Sequence, residues 1–274
     1  MVVKFGSEIR AEEEARIIKF VREKGIKEVP KMYGTSSCSK INCVFLEFID
    51  AVTLDDVWSS LSSRDQATLI SQFTSLLARV HALRPSTPST PIGDYANLSS
   101  TPASDPASPA SAKYTALSLF LSLPPTFSPP TTSLDFIPLI REWFVPRFAA
   151  TWVTSGDERW RKSIAPFLDT TAPVVFTHGD MHGGNVLVRQ GPPTKGYLWG
   201  ERPGEWEVVS LIDWEAAGWY PSWVEGHLLR AAYVCSINGV VKEMADALRA
   251  PGEDTLVWSW PIYLRSSVLV DKGC

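Results

Sequence analysis

The stretch that most restricts what this chain can fold into is Phe176-Thr177-His178-Gly179-Asp180-Met181-His182-Gly183-Gly184-Asn185-Val186-Leu187-Val188. Apolar runs lead in through Val174 and Val175 and lead out through Val188. Short β-branched runs on either side of a glycine-rich turn predict strand–loop–strand. Two histidines, an aspartate and an asparagine are then presented on a loop held by buried strands, a platform suited to positioned chemistry. A second carboxylate follows another apolar run, Val208-Val209-Ser210-Leu211-Ile212-Asp213-Trp214-Glu215. Asp180, Asn185 and Asp213 are short oxygen donors at the ends of strand-like segments. Hard divalent cations take one or two such carboxylates together with substrate phosphates.

His178-Gly179-Asp180, with Asn185 five residues after the aspartate and then Ile212-Asp213-Trp214-Glu215, resembles the aminoglycoside phosphotransferase/choline-kinase-like family. The resemblance implies an α+β, protein-kinase-like two-lobed fold, with a small β-rich N-terminal lobe and a larger, mainly helical C-terminal lobe. It implies ATP and Mg²⁺ as cofactors, Asp180 as catalytic base, and Asn185 and Asp213 as metal ligands. Asp213 would stand where the aspartate of the kinase Asp-Phe-Gly motif stands. His178 would be the structural histidine that opens the catalytic loop.

The 274 residues allow one large domain or two lobes sharing a cleft. Hydrophobic residues make up 45% and charged residues 20%, the balance of a globular chain. Net charge −4 argues against a general nucleic-acid surface. No apolar run approaches the roughly 20 residues that span a bilayer. The start, with charges from Glu8 onward, does not read as a secretory signal. Cys38, Cys43, Cys235 and Cys274 lack metal-ligand spacing and read as free thiols. A cytoplasmic monomer acting on a small-molecule hydroxyl acceptor, without membrane or nucleic-acid partner, is the expectation.

Along the chain, Val2-Val3-Lys4-Phe5 reads as a strand, and residues 10–24 as a helix with Glu14, Ile17, Ile18 and Val21 on one face. A glutamate on an apolar face needs a partner. Given the downstream motif, Lys4 and Glu14 suggest the Lys–Glu pair of a kinase small lobe, with Glu12 and Glu13 as the other candidates. Val29-Pro30 leads into the next strand, and Cys43–Asp50 reads as a strand running into a connector. The resemblance makes that connector the hinge, with the Glu47 carbonyl and the Ile49 N–H on the adenine edge. Thr53 is placed to cap a short helix.

Residues 64–83 form the clearest helical stripe, with Ser63 and Gln66 in capping-box spacing and His81 as a packed or capping residue. Ten of the 21 prolines lie between Pro85 and Pro130, which reads as an insert over 85–131, with a short helix at Tyr114–Leu123 inside it. Helix resumes over 133–169, including Trp160, Ile164 and Phe167. Residues 191–206 read as a hairpin loop that brings Asn185 and Asp213 together. His182, two residues from Asp180, reads as stabilising the catalytic loop or as lining the acceptor side. Glu225, His227 and Arg230 lie on a helix opening near Ser222, facing a substrate or capping the lobe. The lobe boundary falls at residues 49–50, giving domains 1–49 and 50–274.

Two other readings stand beside the kinase. The resembled family carries a glycine-rich strand–turn–strand before its strand lysine, and three residues precede Lys4. The expected N-terminal lobe is therefore shortened, and a pseudokinase acting as a binding module is the alternative. Asp180-Met181-His182-Gly183 also matches the opening of calcineurin-like metallophosphoesterases. Those two-metal sites need further histidine, aspartate and asparagine ligands, and four histidines leave few candidates.

Overall fold

A computed structural model describes residues 1–6, 11–38, 41–84, 90, 92–94, 114–116, 121–123, 130–149, 168–196, 200–202, 204–234 and 239–248. Contacts divide the chain into two compact units. One comprises Met1–Val80, Asp180–Glu215 and Asn238–Ala247; the other comprises His81–Gly179, Ala216–Ile237 and Leu248–Cys274.

In the first unit, β1 (Val2–Gly6), β2 (Met32–Cys38) and β3 (Ile41–Leu46) form an antiparallel sheet in the order β1-β3-β2. Lys4 lies opposite Val44, and a bulge falls between Met32 and Gly34. Helix α1 (Ala11–Glu23) packs on β2 and β3 and buries Ala15, Ile17, Ile18 and Val21. It stops at Gly25, whose φ of 89° suits glycine. There Gly25 N–H donates to Arg22 O at 2.9 Å and Ile26 N–H to Val21 O at 3.3 Å, closing a Schellman motif.

A second antiparallel sheet has the order β12-β9-β4, from Val52–Thr53 (β4), Val186–Gln190 (β9) and Trp206–Leu211 (β12). The hairpin expected across residues 191–206 is this β9–β12 pair. The segment between them carries its own small ladder, β10 (Thr194–Gly196) against β11 (Gly200–Arg202). A bulge between Val208 and Ser210 interrupts β12. The side chain of Gln72, on α3 (Ser63–His81), binds the strand just before it: Nε2 donates to Trp206 O at 3.1 Å, and Val208 N–H donates to Oε1 at 2.8 Å. Two backbone groups of this edge strand are thereby satisfied.

Three helices start on one chemistry, a hydroxyl followed three residues later by an aspartate. Thr53 opens α2 (Leu54–Val57), Ser62 opens α3 and Thr132 opens α4 (Ser133–Ala149). In each, the aspartate N–H donates to the hydroxyl at 3.2 Å, and the hydroxyl donates to the aspartate carboxylate at 2.6 Å. The cap at Thr53 is as expected. For α3 the expected Ser63–Gln66 box is corrected by one position, because Ser62 and Asp65 make the reciprocal bonds.

The second unit is built around β5-β13-β8, from Gly93–Asp94 (β5), Val174–Thr177 (β8) and Gly218–Pro221 (β13). β8 therefore pairs with β13 while β9 pairs with β12. The two strands flanking the glycine-rich loop belong to different sheets, not to one hairpin. Phe176 meets Trp219 edge-on with ring centroids 5.1 Å apart, and Phe136 meets Tyr220 at 6.0 Å. These four rings are fully or almost fully buried. Helix α5 (Val224–Val234) follows β13. Tyr114–Ala116 (β6) and Leu121–Leu123 (β7) pair antiparallel, which corrects the helix expected over Tyr114–Leu123. Leu-Ser-Leu has the alternation of a strand, and so short a segment offers no helical period to oppose it.

Helix α6 (Gly239–Ala247) returns to the first unit. Trp160, Ile164, Phe167, Cys235, Cys274 and most of the proline-rich insert lie outside the described residues. Cys38 and Cys43 are free thiols. Among the described residues, no helix is long and apolar enough to cross a membrane.

Candidate active site

Several segments of the first unit supply the expected polar residues. Lys4 sits on β1, and its ammonium lies 3.1 Å from Glu14 Oε2, 2.6 Å from Asp213 Oδ1 and 3.1 Å from Glu215 Oε2. Glu14 faces inward from α1 because it shares the stripe of Ile17, Ile18 and Val21, and it is fully buried. Its two oxygens divide the work: Oε2 accepts from Lys4, and Oε1 accepts from Trp214 N–H at 3.3 Å. Among the described residues the ion pairs of Lys4 are with Glu14, Asp213 and Glu215, and not with Glu12 or Glu13, the other candidates.

Burial favours the uncharged form of Lys4, but Glu14, Asp213 and Glu215 outweigh it and hold the ammonium charged far into the alkaline range. Glu14 is itself pushed up by burial, an effect that Lys4 offsets in part. Oxygens of Glu14, Asp213 and Glu215 all lie within 4.8 Å of one another. Like charges this close require a cation among them, and Lys4 supplies one.

Asp213 follows the last residues of β12 with φ 65°, in the left-handed region. Asp and Asn are the non-glycine residues that best tolerate this conformation. Trp214, fully buried, donates its indole N–H to Leu211 O at 2.9 Å and pins the turn from below.

The segment Asp180–Asn185 is closed by its own bonds. Asn185 Nδ2 donates to Asp180 O at 2.8 Å, Asn185 N–H donates to His182 O at 2.9 Å, and Gly184 N–H donates to His182 Nδ1 at 3.1 Å. His182 is thus a loop-stabilising cap, as its position suggested. Gly183 lies directly against the Asp55 carboxylate, where a Cβ would collide. Ile212 N–H donates to Asn185 O at 3.0 Å, so the β9–β12 hairpin joins the residue before Asp213 to Asn185. Asp180 is exposed and Asn185 is buried. With Nδ2 committed to the loop, Asn185 turns its ligand-type oxygen, Oδ1, away from that bond.

Glu47 and Ile49 lie just beyond the end of β3 at Leu46. Glu47 is anchored to Lys31 twice through the backbone: its N–H donates to Lys31 O at 2.8 Å, and its Oε2 accepts from Lys31 N–H at 3.0 Å. The latter bond holds the Glu47 carboxyl below its ordinary value.

His178 belongs to the second unit and is fully buried, directly after β8. Its N–H donates to Glu225 Oε2 at 2.6 Å, and Gly179 N–H donates to Glu225 Oε1 at 3.3 Å. Gly179 has φ 83°, and a Cβ there would overlap the Ala216 carbonyl. Sequence reasoning put Glu225 on its helix but not on the His178 and Gly179 amides, and it gave Glu215 no role. Glu215 carried a signal in its spacing, two residues after Asp213. Glu225 carried little, because its partners are backbone amides 46 and 47 positions away.

The antiparallel sheet backed by α1, and the loop and hairpin that carry Asp180, Asn185 and Asp213, are those of a protein-kinase-like α+β fold. The chain belongs to the phosphotransferase enzyme family, which matches it over residues 1–240. Among solved structures, it is similar to a thermostable mutant of aminoglycoside phosphotransferase APH(4)-Ia in ternary complex with AMP-PNP and hygromycin B. Identity is 15%, the match covers 97% of this chain and 74% of that one, and the TM-score is 0.50. At that identity the likeness speaks for the fold. No curated protein matches the chain.

Proposed function

We propose that this phosphotransferase moves the γ-phosphoryl group of ATP to a hydroxyl of a small molecule. The observation that carries the reading is the 2.6 Å contact of Lys4 Nζ with Asp213 Oδ1, made while the same ammonium holds buried Glu14. A strand lysine, a helix glutamate and a carboxylate after the Asn185 hairpin are the parts by which kinases hold nucleotide phosphates.

Lys4 would reach the phosphate oxygens, with Glu14 fixing its direction. The Asp180 carboxylate would accept the hydrogen bond of the acceptor hydroxyl and orient its oxygen in line with the γ-phosphorus. As the new P–O bond forms, the bond to the β,γ-bridging oxygen breaks, ADP leaves, and the hydroxyl proton passes to Asp180. Positioning and charge neutralisation carry most of such a barrier. Asn185 and Asp213 would hold Mg²⁺, with Glu215 near enough to assist; their oxygen donors suit that ion. The ion's chemistry there would be neutralisation of phosphate charge. The backbone at Glu47 and Ile49 would receive the adenine edge. We place the lobe boundary of this reading near residue 49, and we take the enzyme to act as a cytoplasmic monomer.

The test is Mg²⁺-dependent ATP binding by calorimetry, followed by a screen of hydroxylated acceptors. Wild type should bind MgATP, Asp213→Asn should lose the metal-dependent part, and Asp180→Ala should bind nucleotide without transferring phosphate. ATP binding equal in wild type and Asp213→Asn, with or without Mg²⁺, would remove the reading.

A further inference from the structure

The strand that delivers Asp213, β12, lies at the edge of its sheet, so part of its backbone must find partners outside the ladder. Gln72 of α3 supplies one of them, at Val208. Leu211 N–H finds another: it donates at 2.9 Å to the backbone carbonyl of Glu28, in the loop between α1 and β2. Leu211 stands two residues before Asp213, and the next amide, that of Ile212, donates to Asn185 O. Two consecutive amides before Asp213 are thus tied to two different segments.

The Glu28 carbonyl is itself held in place. The Glu28 carboxylate turns back on its own loop: Oε2 accepts from Lys27 N–H at 3.1 Å, and Oε1 accepts from Arg79 Nη2 at 2.6 Å. Arg22, in the last turn of α1, donates to the carbonyls of Lys27 and Val29. Three consecutive loop carbonyls are therefore engaged, and the middle one is the one that meets Leu211. Burial pushes the Glu28 carboxyl up, but Arg79 and the loop amides outweigh it and hold it below the ordinary carboxylate range. Arg79 follows Gln72 by seven residues on α3, two helical turns, so both side chains leave one face of the helix. One helix thereby supports β12 twice, directly at Val208 and through Glu28 at Leu211. All of these residues belong to the first compact unit.

We propose that Arg79 and Glu28 are positioning residues for the metal turn: their pair fixes the carbonyl that receives Leu211 N–H, and with it the place of the Asp213 carboxylate. This rests on the reading of Asp213 as a ligand of Mg²⁺. Asp213 is left-handed, in a narrow region of backbone space, so a shift at the strand end is passed on to its side chain. The Arg79 side chain is 46% exposed and that of Glu28 29%, so solvent limits the pair to an effect of no more than about fivefold.

The test uses the full chain with Arg79→Met, which keeps the apolar stem and removes the charge, and Arg79→Lys, which keeps the charge. Residue-resolved hydrogen exchange is followed at Leu211 and, as the internal control, at Val208. In Arg79→Met, exchange at Leu211 should quicken about threefold while that at Val208 holds. Calorimetry should show the affinity for ATP with Mg²⁺ falling about threefold and the affinity for ATP in EDTA unchanged. The gap to wild type should close as NaCl rises from about 0.05 M to about 0.5 M, because salt screens a half-exposed pair. Arg79→Lys should stay within about twofold of wild type. In Glu28→Ala, where the pair is already gone, adding Arg79→Met should change neither reading.

Unchanged exchange at Leu211, or equal quickening at Leu211 and Val208, would overturn the proposal. So would an ATP affinity that falls as much in EDTA as in Mg²⁺, or effects of Arg79→Met that persist in high salt or in Glu28→Ala. Arg79→Gln replaces Arg79→Met if the latter does not fold, and loss of folding in both overturns the proposal equally. Failure of the phosphotransfer reading shows in the wild type itself, as absent MgATP binding, whereas the ratio of Leu211 to Val208 exchange is read without nucleotide.

Discussion

Lys4 Nζ and Asp213 Oδ1 are 2.6 Å apart although 209 positions separate them in the chain. The same ammonium neutralises Glu14 and Glu215, so removing it leaves three carboxylates within 4.8 Å of one another. Lys4→Met is expected to cost about 1–3 kcal/mol at neutral pH, since breaking a part-buried pair exposes the partners' repulsion. Part of the loss should return on acidification, as a carboxylate takes up a proton in place of the lysine. Urea denaturation at pH 7 and pH 5 measures both effects.

Glu14 gives a pH dependence of definite sign. Its native carboxyl is raised, by burial first, so between the ordinary glutamate value of about 4.3 and the raised native value the folded state binds more protons than the unfolded one. Stability contributed by this group therefore falls as pH rises through that window. Glu14→Gln should flatten this slope, and it should also weaken nucleotide turnover by freeing Lys4. An unaltered slope in the variant would assign the effect elsewhere.

Glu225 acts in the opposite sense. Its carboxyl is depressed, so its contribution is present above about 4.3 and is lost as pH falls toward the native value. Glu225→Gln keeps one acceptor and sets an NH₂ group against the other backbone N–H, an unsatisfied buried donor worth about 1–3 kcal/mol. The variant should melt lower at pH 7, and the difference from wild type should shrink on acidification. Thermal scans from pH 7 to pH 4 test this.

Asp213 offers a comparison that separates backbone from chemistry. Asn tolerates φ 65°, whereas Ala in the same conformation costs on the order of 1 kcal/mol. Asp213→Asn and Asp213→Ala should both lose Mg²⁺-dependent nucleotide binding, and Asp213→Ala should in addition be the less stable. Equal stability would mean that the turn relaxes around alanine.

Much of this arrangement could be read from the residues. Helical period alone set Glu14 beside Ile17 and Ile18, and a charge on that face demanded a partner, which Lys4 supplies at 3.1 Å. Apolar runs on either side of the proline-, glycine- and charge-rich residues 191–206 marked the β9–β12 hairpin that joins Asn185 to the Asp213 turn. What escaped was decided by contacts distant in sequence or by near-degenerate local patterns. Ser62-x-x-Asp65 and Ser63-x-x-Gln66 both fit a helix start, and the reciprocal carboxylate bond selects the first. β8 and β9 look like two arms of one hairpin, but pairing with β13 and β12 sends them to different sheets. Glu225 answers to amides that no local pattern connects to it.

The first compact unit is assembled from Met1–Val80, Asp180–Glu215 and Asn238–Ala247, and this has a consequence for synthesis on the ribosome. Chains emerge N-terminus first, at about 5–20 residues per second. β1 and α1 can form early, with Lys4 and Glu14 paired ten positions apart. The Trp214 amide that caps the other Glu14 oxygen, and the Asp213 turn that receives Lys4, arrive some two hundred residues later. For several seconds at least, the nascent N-terminal segment holds a buried acid with half of its ligands unmade. Rare-codon pauses or truncations between residues 80 and 180 should therefore leave a species that chaperones recognise.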